Sequence, residues 1–322
     1  MNCAIIFRSR LAEAMERFVT SKRTQGYDYT DQALTLSYFD RFLATDPDPD
    51  DAERLAPEPL TRYVATTSHL ADSTRQTRIA SLREFSRWLH ARVPGSAILP
   101  RDILPRRPRR ERYFPITPAQ VQTLMAAAPI VLSGDPLRAH NVSTLVGLLY
   151  CAGLRIAEAL GLAPYDLAPD GSTLHVLKGK FGKERLVPLS PSAYAALTAY
   201  LAVRQPYAPG SDSAPLFIDA RGRPLKRDQV YRDFRRLCRH CGIWGDPSPR
   251  LHDLRHNYAC RCLALWREAG LDINAMLPIL ATAMGHVNIL ATQRYLHLDA
   301  VGLQNAATRF NAYVANHAEP KP

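Results

Sequence analysis

No apolar run in this chain approaches the roughly 20 residues needed to cross a bilayer. The most apolar stretch, Val142 to Leu154, is bounded by Arg138 and Arg155 and contains Ser143, Thr144 and two glycines. No export signal is expected either. Cys3 to Phe7 is too short for a signal-peptide core, and Arg8 and Arg10 follow it at once. The expectation is a protein that stays in a reducing cytoplasm and has no membrane partner. Cysteine is scarce, with six in 322 residues. An even count in a chain this long, without an export signal, does not argue for disulfides. No internal repeat, low-complexity segment, Walker-type Gly-rich Lys loop or cluster of metal-binding carboxylates occurs.

The length suffices for two ordinary domains, each with a sizeable core. Hydrophobic residues make up 46% and charged residues 22%, the balance of a soluble globular protein. The formal net charge is +11, with a pI near 9.5. That excess favours a polyanionic partner, nucleic acid first and an anionic membrane surface second.

Residues 1–104 read as all-helical. Leu11, Met15, Phe18 and Val19 share one helix face. A second helix runs from about Thr30 to Leu43, with Leu34, Leu36, Tyr38, Phe39 and Phe42 as its apolar positions. Helices near Leu60–Leu70 and Ser73–Ala91 follow. The last carries Arg75, Arg78, Arg83 and Arg87 opposite Ile79, Leu82, Phe85, Trp88 and Leu89. Such a face is either solvated or follows a phosphate backbone. Residues 105–116 form a basic, proline-rich linker with Arg106, Arg107, Arg109 and Arg110. From residue 117 the pattern is mixed. Thr117-Pro118 opens a helix as N-cap and first residue. Further helices cover about Asn141–Cys151 and begin near Arg155. Leu174–Leu177 and Arg185–Leu189 read as two strands joined by the Gly179–Lys183 turn. Residues from Asp228 to Val314 are mostly helical.

Four stretches carry possible chemistry. In Cys151-Ala-Gly-Leu-Arg155, Gly153 breaks one helix and Arg155 opens the next, where guanidinium and backbone amides both face an anion. The Gly179-to-Arg185 turn holds Lys180 and Lys183 at a hairpin tip. In Leu251-His252-Asp-Leu-Arg255-His256, His252 and Arg255 share a helix face, a pairing suited to a phosphoryl group. Tyr295 stands nine residues after His286, which follows Gly285. Each alone is ordinary: a surface arginine, solvated lysines, a charged helix, a packed tyrosine among 14.

Taken in this order, the set resembles the tyrosine recombinase and phage-integrase family. The matching stretches are Gly153-Leu154-Arg155, the Gly-Lys180-x-x-Lys-Glu-Arg-Leu-Val-Pro-Leu hairpin, His252-x-x-Arg255-His, Gly285-His286 and Tyr295. The resemblance implies a mainly α fold with a small β-sheet, in two domains. Residues 1–104 would be an all-helical, SAM-like core-binding domain. Residues 117–322 would be a mixed α+β catalytic domain, the two forming a clamp around DNA. It also implies that Arg155 and Arg255 hold the scissile phosphate. His252 and His286 would hydrogen-bond it and assist proton transfer. Lys180 would protonate the leaving 5′ oxygen, and Tyr295 would attack phosphorus to form a 3′-phosphotyrosyl bond. The partners implied are double-stranded recombination sites and other copies of the chain, in a synaptic tetramer. No cofactor, metal or ATP is implied, because the phosphotyrosine conserves the bond energy. The tail from Val301 to Val314 reads as an amphipathic helix and is expected to pack on a neighbouring protomer.

The sequence departs from the family pattern in two places. The span from Arg255 to Gly285 is longer than in the simplest bacterial members, resembling integrases of transposons and other mobile elements. Phe181 stands where a glycine is common, which leaves Lys183 as the alternative to Lys180. Three rival readings compete. Cys238-x-x-Cys241 has zinc-ligand spacing, and Cys260-x-Cys262 with His240, His252 or His256 would complete a site. Helix-like surroundings beside Leu237 and Leu263 favour buried thiols instead. A type IB topoisomerase uses similar chemistry, but the size and the hairpin fit it less well. A non-catalytic DNA-binding protein would not need the complete set of six.

Overall fold

The computed structural model describes residues 5–45, 54–104, 113–177, 184–208, 214–286 and 288–297. The Gly179–Lys183 turn, Arg106, Arg107, Arg109, Arg110 and the Val301–Val314 segment lie outside the described residues. The chain divides into two compact units, Met1–Arg110 and Glu111–Pro322. It is mainly helical, and the described residues hold one two-stranded sheet. Among them no helix is long and apolar enough to cross a membrane.

The first unit is built from α1 (Ala12–Thr24), α2 (Thr30–Thr45), α3 (Pro57–Thr66) and α4 (Asp72–His90). Phe18 meets Phe85 edge-on in its core, and Phe39 meets Tyr63 in the same way. In α2 the buried stripe is Ala33, Leu36, Phe39, Asp40 and Leu43. Leu34 stands one residue off this stripe, about 100° around the helix, and is exposed rather than packed. Asp40 is buried because its carboxylate accepts from the backbone N–H groups of Arg8 and Ser9, which ties down the entering chain.

The second unit contains α5 (Pro118–Val131), α6 (Pro136–Ala152), α7 (Ile156–Leu160), β1 (Thr173–Val176) and β2 (Arg185–Pro188). It continues with α8 (Pro191–Arg204), α9 (Arg227–His240), α10 (Leu251–Glu268), α11 (Ile273–Met284) and α12 (Leu290–Gln293). Thr117 caps α5 reciprocally. Its hydroxyl accepts from Gln120 N–H, and the Gln120 side chain accepts from Thr117 N–H. The apolar run that began at Val142 is the buried flank of α6, which packs on α5, α8 and α10. A helix apolar on most sides needs such cover. Strands β1 and β2 pair antiparallel, Leu174 opposite Val187 and Val176 opposite Arg185. Each is four residues long and ends one residue before the span read from sequence. This hairpin and α11 make contact, which brings Arg185 to the end of that helix.

Candidate active site

Two helix ends frame the site. Helix α6 stops at Gly153, with φ +60°, and α11 stops at Gly285, with φ +64°. Both backbones lie in the left-handed region that favours glycine. A Cβ at residue 153 would also sit 2.2 Å from the Tyr258 ring, and one at residue 285 would sit 2.8 Å from the Arg185 guanidinium. Glycine is therefore favoured twice over at residue 153, while at residue 285 a side chain would strain the backbone and displace the Arg185 guanidinium. The last carbonyls of both helices face inward onto arginines.

Arg155 stands at the N-terminus of α7. Its guanidinium donates to Gly285 O at 2.9 Å and to Glu158 Oε1 at 2.6 Å. Arg255 donates to Gly153 O and, at 2.6 Å, to Met284 O. Arg185 donates to Ala283 O at 2.8 Å and to Glu158 Oε2 at 2.8 Å. The Glu158 carboxylate thus lies among three guanidinium groups, with Arg255 at 3.9 Å. Burial opposes its ionisation, but the hydrogen bonds from Arg185 and Arg155 prevail and hold its pKa below the usual carboxylate range. Helix α10 was expected to present Arg255 on its surface. The residue is instead 1% exposed. The two helix-end carbonyls and Glu158 make that burial tolerable. Burial and the facing Arg155 lower its pKa to about 10, so it stays charged at neutral pH.

Tyr295 lies in the turn Arg294–His297 and is buried. Its ring stacks on His286 at 6.1 Å and meets His256 edge-on at 5.4 Å. His256 meets His252 at 4.6 Å. Burial raises the Tyr295 pKa, while Arg255 and Arg294 pull it back. Desolvation among its neighbours and Arg255 push His252 down to about 4, although the residue as a whole is exposed. Burial and the same arginine push His286 down to about 3. Both imidazoles are neutral at physiological pH. The site is therefore a cluster of fixed positive charge beside a protonated phenol and neutral imidazoles. That arrangement is suited to an anionic oxygen centre with a phenol beside it.

Five of the six expected catalytic residues, Arg155, His252, Arg255, His286 and Tyr295, are brought together. Lys180, and its alternative Lys183, lie outside the described residues. Sequence reasoning missed Glu158, Arg185, His256 and Thr292. Glu158 had a visible signal, since an acid three residues after a helix-opening arginine returns to the N-terminus. Thr292 had none beyond its nearness to Tyr295.

The expected basic face of α4 is only partly free. Arg75 donates to Thr67 Oγ1, Arg78 stacks on the Tyr38 ring, and Arg83 donates to Pro100 O. Arg87 is exposed. A second basic face went unread: Arg232, Arg235 and Arg239 are all exposed on α9. The cysteines do not converge. Cys238 is packed in the core around α6, whereas Cys260 and Cys262 pack beside Tyr295 in another cluster. Among the described residues no group of three His, Cys, Asp or Glu side chains is placed to hold a metal.

Comparison with known proteins gives the lineage. Residues 115–301 match the Phage integrase family. The integrase/recombinase y4rB of Sinorhizobium fredii is 33% identical over 295 residues, which span 89% of this chain and 93% of that protein. The tyrosine recombinase XerC of Pelobacter propionicus is 32% identical, with 74% of each chain covered. The fold is shared with the site-specific recombinase XerH bound to palindromic difH substrate, at a TM-score of 0.65 and 19% identity, over 92% of this chain and 84% of that one. The chain belongs to the phage integrase family of tyrosine recombinases.

Proposed function

We propose that this enzyme, a tyrosine-type site-specific recombinase, cuts and rejoins double-stranded DNA through Tyr295 without ATP or metal. Arg155 and Arg255 clamp the scissile phosphodiester. His252 and His286 flank its oxygens and handle protons. The Tyr295 oxygen attacks phosphorus, a 3′-phosphotyrosyl bond forms, and the bond to the 5′ oxygen breaks. Lys180, or Lys183 beside it, protonates that leaving oxygen. The released 5′-hydroxyl, or one from a partner strand, then attacks the phosphotyrosine and restores the backbone. A free phenol has a pKa near 10, so attack needs the phosphate-bound arginines to favour the phenolate and the charged transition state.

The observation that carries this reading is the convergence of Tyr295, two histidines, the buried Arg255 and the half-buried Arg155 at one locus. The helical first unit serves as the core-binding domain, and the two domains close around DNA as a clamp. Arg87, the linker arginines Arg106, Arg107, Arg109 and Arg110, and the α9 arginines follow the phosphate backbone. Two recombination sites are joined in a tetramer, with the C-terminal segment Val301–Val314 as the contact between protomers. The setting is the cytoplasm.

The test uses duplexes selected by binding from a randomised pool, nicked at successive positions so that a short fragment escapes after cleavage. Wild-type protein should accumulate a covalent protein–DNA adduct. Tyr295→Phe should form none. An adduct in the phenylalanine variant would sink the assignment.

A further inference from the structure

Thr292 has no place in the chemistry described so far, yet its side chain is fully buried beside the reacting groups. Its Oγ1 lies 2.7 Å from His286 Nδ1. On the other side of the same ring, His286 Nε2 lies 3.0 Å from Arg255 Nη2. A guanidinium nitrogen only donates. Nε2 must therefore accept, and it carries no proton. The proton of a neutral imidazole then sits on Nδ1, and Nδ1–H donates to the threonine hydroxyl. The reverse assignment would set two donors against each other at Nε2.

Thr292 also belongs to the nucleophile segment. It lies in α12, three residues before Tyr295, and α12 runs directly into the turn that carries the tyrosine. The chain Thr292–His286–Arg255 thus connects that segment to an arginine of the phosphate clamp. We propose that Thr292 is a positioning residue that fixes His286 as the Nδ1–H tautomer, aims its bare Nε2 at Arg255, and so couples the seating of Tyr295 to the aim of the clamp.

The surroundings keep the ring neutral. The charged groups acting on it are Arg255 on α10, Arg155 before α7, Arg185 on β2 and Arg294 beside Tyr295, all positive. With these neighbours an imidazolium is disfavoured, and the tautomer becomes the open variable. A second residue that holds a histidine by its far nitrogen commonly sets which nitrogen faces the working side.

The inference rests on the proposed reading of the site, but its first test needs no DNA. Histidine-selective ¹⁵N NMR of the full chain, with His286 assigned by comparison with His286→Asn, should show a protonated Nδ1 and a bare Nε2. A protonated Nε2 in wild type overturns the proposal. Thr292→Val keeps the shape and removes the hydroxyl. It should lose the Nδ1–H preference and slow single-turnover adduct formation on the selected nicked duplex by roughly 10–100-fold, with duplex affinity little changed. Thr292→Ser should restore both the tautomer and the rate. A valine variant that cleaves at the wild-type rate, or a serine variant as slow as valine, refutes the coupling. The Tyr295→Phe adduct assay fails or succeeds separately from the tautomer measurement, so the two readings fall independently.

Discussion

Glu158→Gln is the sharpest probe of the buried charge network. The glutamate side chain is 2% exposed and faces Arg155, Arg185 and Arg255 at 2.6, 2.8 and 3.9 Å. Glutamine keeps the shape but removes the carboxylate that, among the described residues, the three guanidinium groups share. Removing one partner of a buried ion pair costs about 3–5 kcal/mol, and the retained amide oxygen places this change near the lower end. For a unit of this size, about 3 kcal/mol corresponds to a melting shift of roughly 6–12 °C. Trp244 and Trp266 report on the second unit, and Trp88→Phe silences the first. The pH dependence supplies the internal control. The folded pKa of Glu158 is depressed, so its stabilisation is present above the unfolded value, about 4.3. It is lost as pH falls through the lower folded value. The gap between wild type and variant should be full at neutral pH and close in acid. A gap under about 2 °C at neutral pH, or one that persists unchanged in acid, refutes the reasoning.

Gly153→Ala places a Cβ 2.2 Å from the Tyr258 ring at φ +60°. The left-handed backbone adds about 1–2 kcal/mol and the displaced ring about 1–3 kcal/mol, so the second unit should melt well below wild type. An unchanged melt counts against the close approach. His252, His256 and His286 are held near 4, 3 and 3, below the unfolded value of about 6.5. The unfolded chain therefore takes up more protons, and urea midpoints should fall as pH drops from about 6.5 toward 4.5. A flat or rising midpoint in that window contradicts the three neutral imidazoles. Arg87→Ala should lower the slope of log affinity against log salt by about 1 and leave melting unchanged. Arg83→Ala should instead weaken the first unit, because Arg83 holds the Leu99 and Pro100 carbonyls. The opposite pattern would return Arg83 to the DNA surface.

Much of this was legible in the residue order. Thr117-Pro118 announces its helix through capping chemistry that needs no tertiary partner. Gly153 and Gly285 announce helix ends because the left-handed cap favours glycine. Arg155, His252, Arg255, His286 and Tyr295 were legible only as a set, through its resemblance to a known family, since each alone is ordinary. What the sequence hid is long-range compensation. Nothing near Arg185 shows that it will reach Glu158 and the Ala283 carbonyl, 98 residues away. The α4 arginines looked like a free basic face because Tyr38 and Pro100, which occupy two of them, lie on other segments. Leu34 was grouped with the apolar positions of α2 yet is exposed, because apolar content alone does not reveal which stripe tertiary packing will cover.

The two glycine-ended helices also explain how such a concentration of positive charge survives burial. Arg155, Arg185 and Arg255 bring three charges together, and Glu158 cancels one. The guanidinium groups also donate to the carbonyls of Gly153, Ala283, Met284 and Gly285. Each helix C-terminus acts as roughly half a negative charge, so the two ends together offset about one more. Roughly one positive charge is left unbalanced among these three residues, which is the charge of one phosphodiester. The carbonyls hold the guanidinium planes in place and neutralise them only in part, where further carboxylates would do so fully. An additional acid at this point would stabilise the empty site and compete with substrate. Backbone oxygens aimed by a left-handed glycine stabilise it less and leave the charge available. On this argument the glycine of Gly153-Leu154-Arg155 and that of Gly285-His286 serve the chemistry as directly as the charged residues beside them.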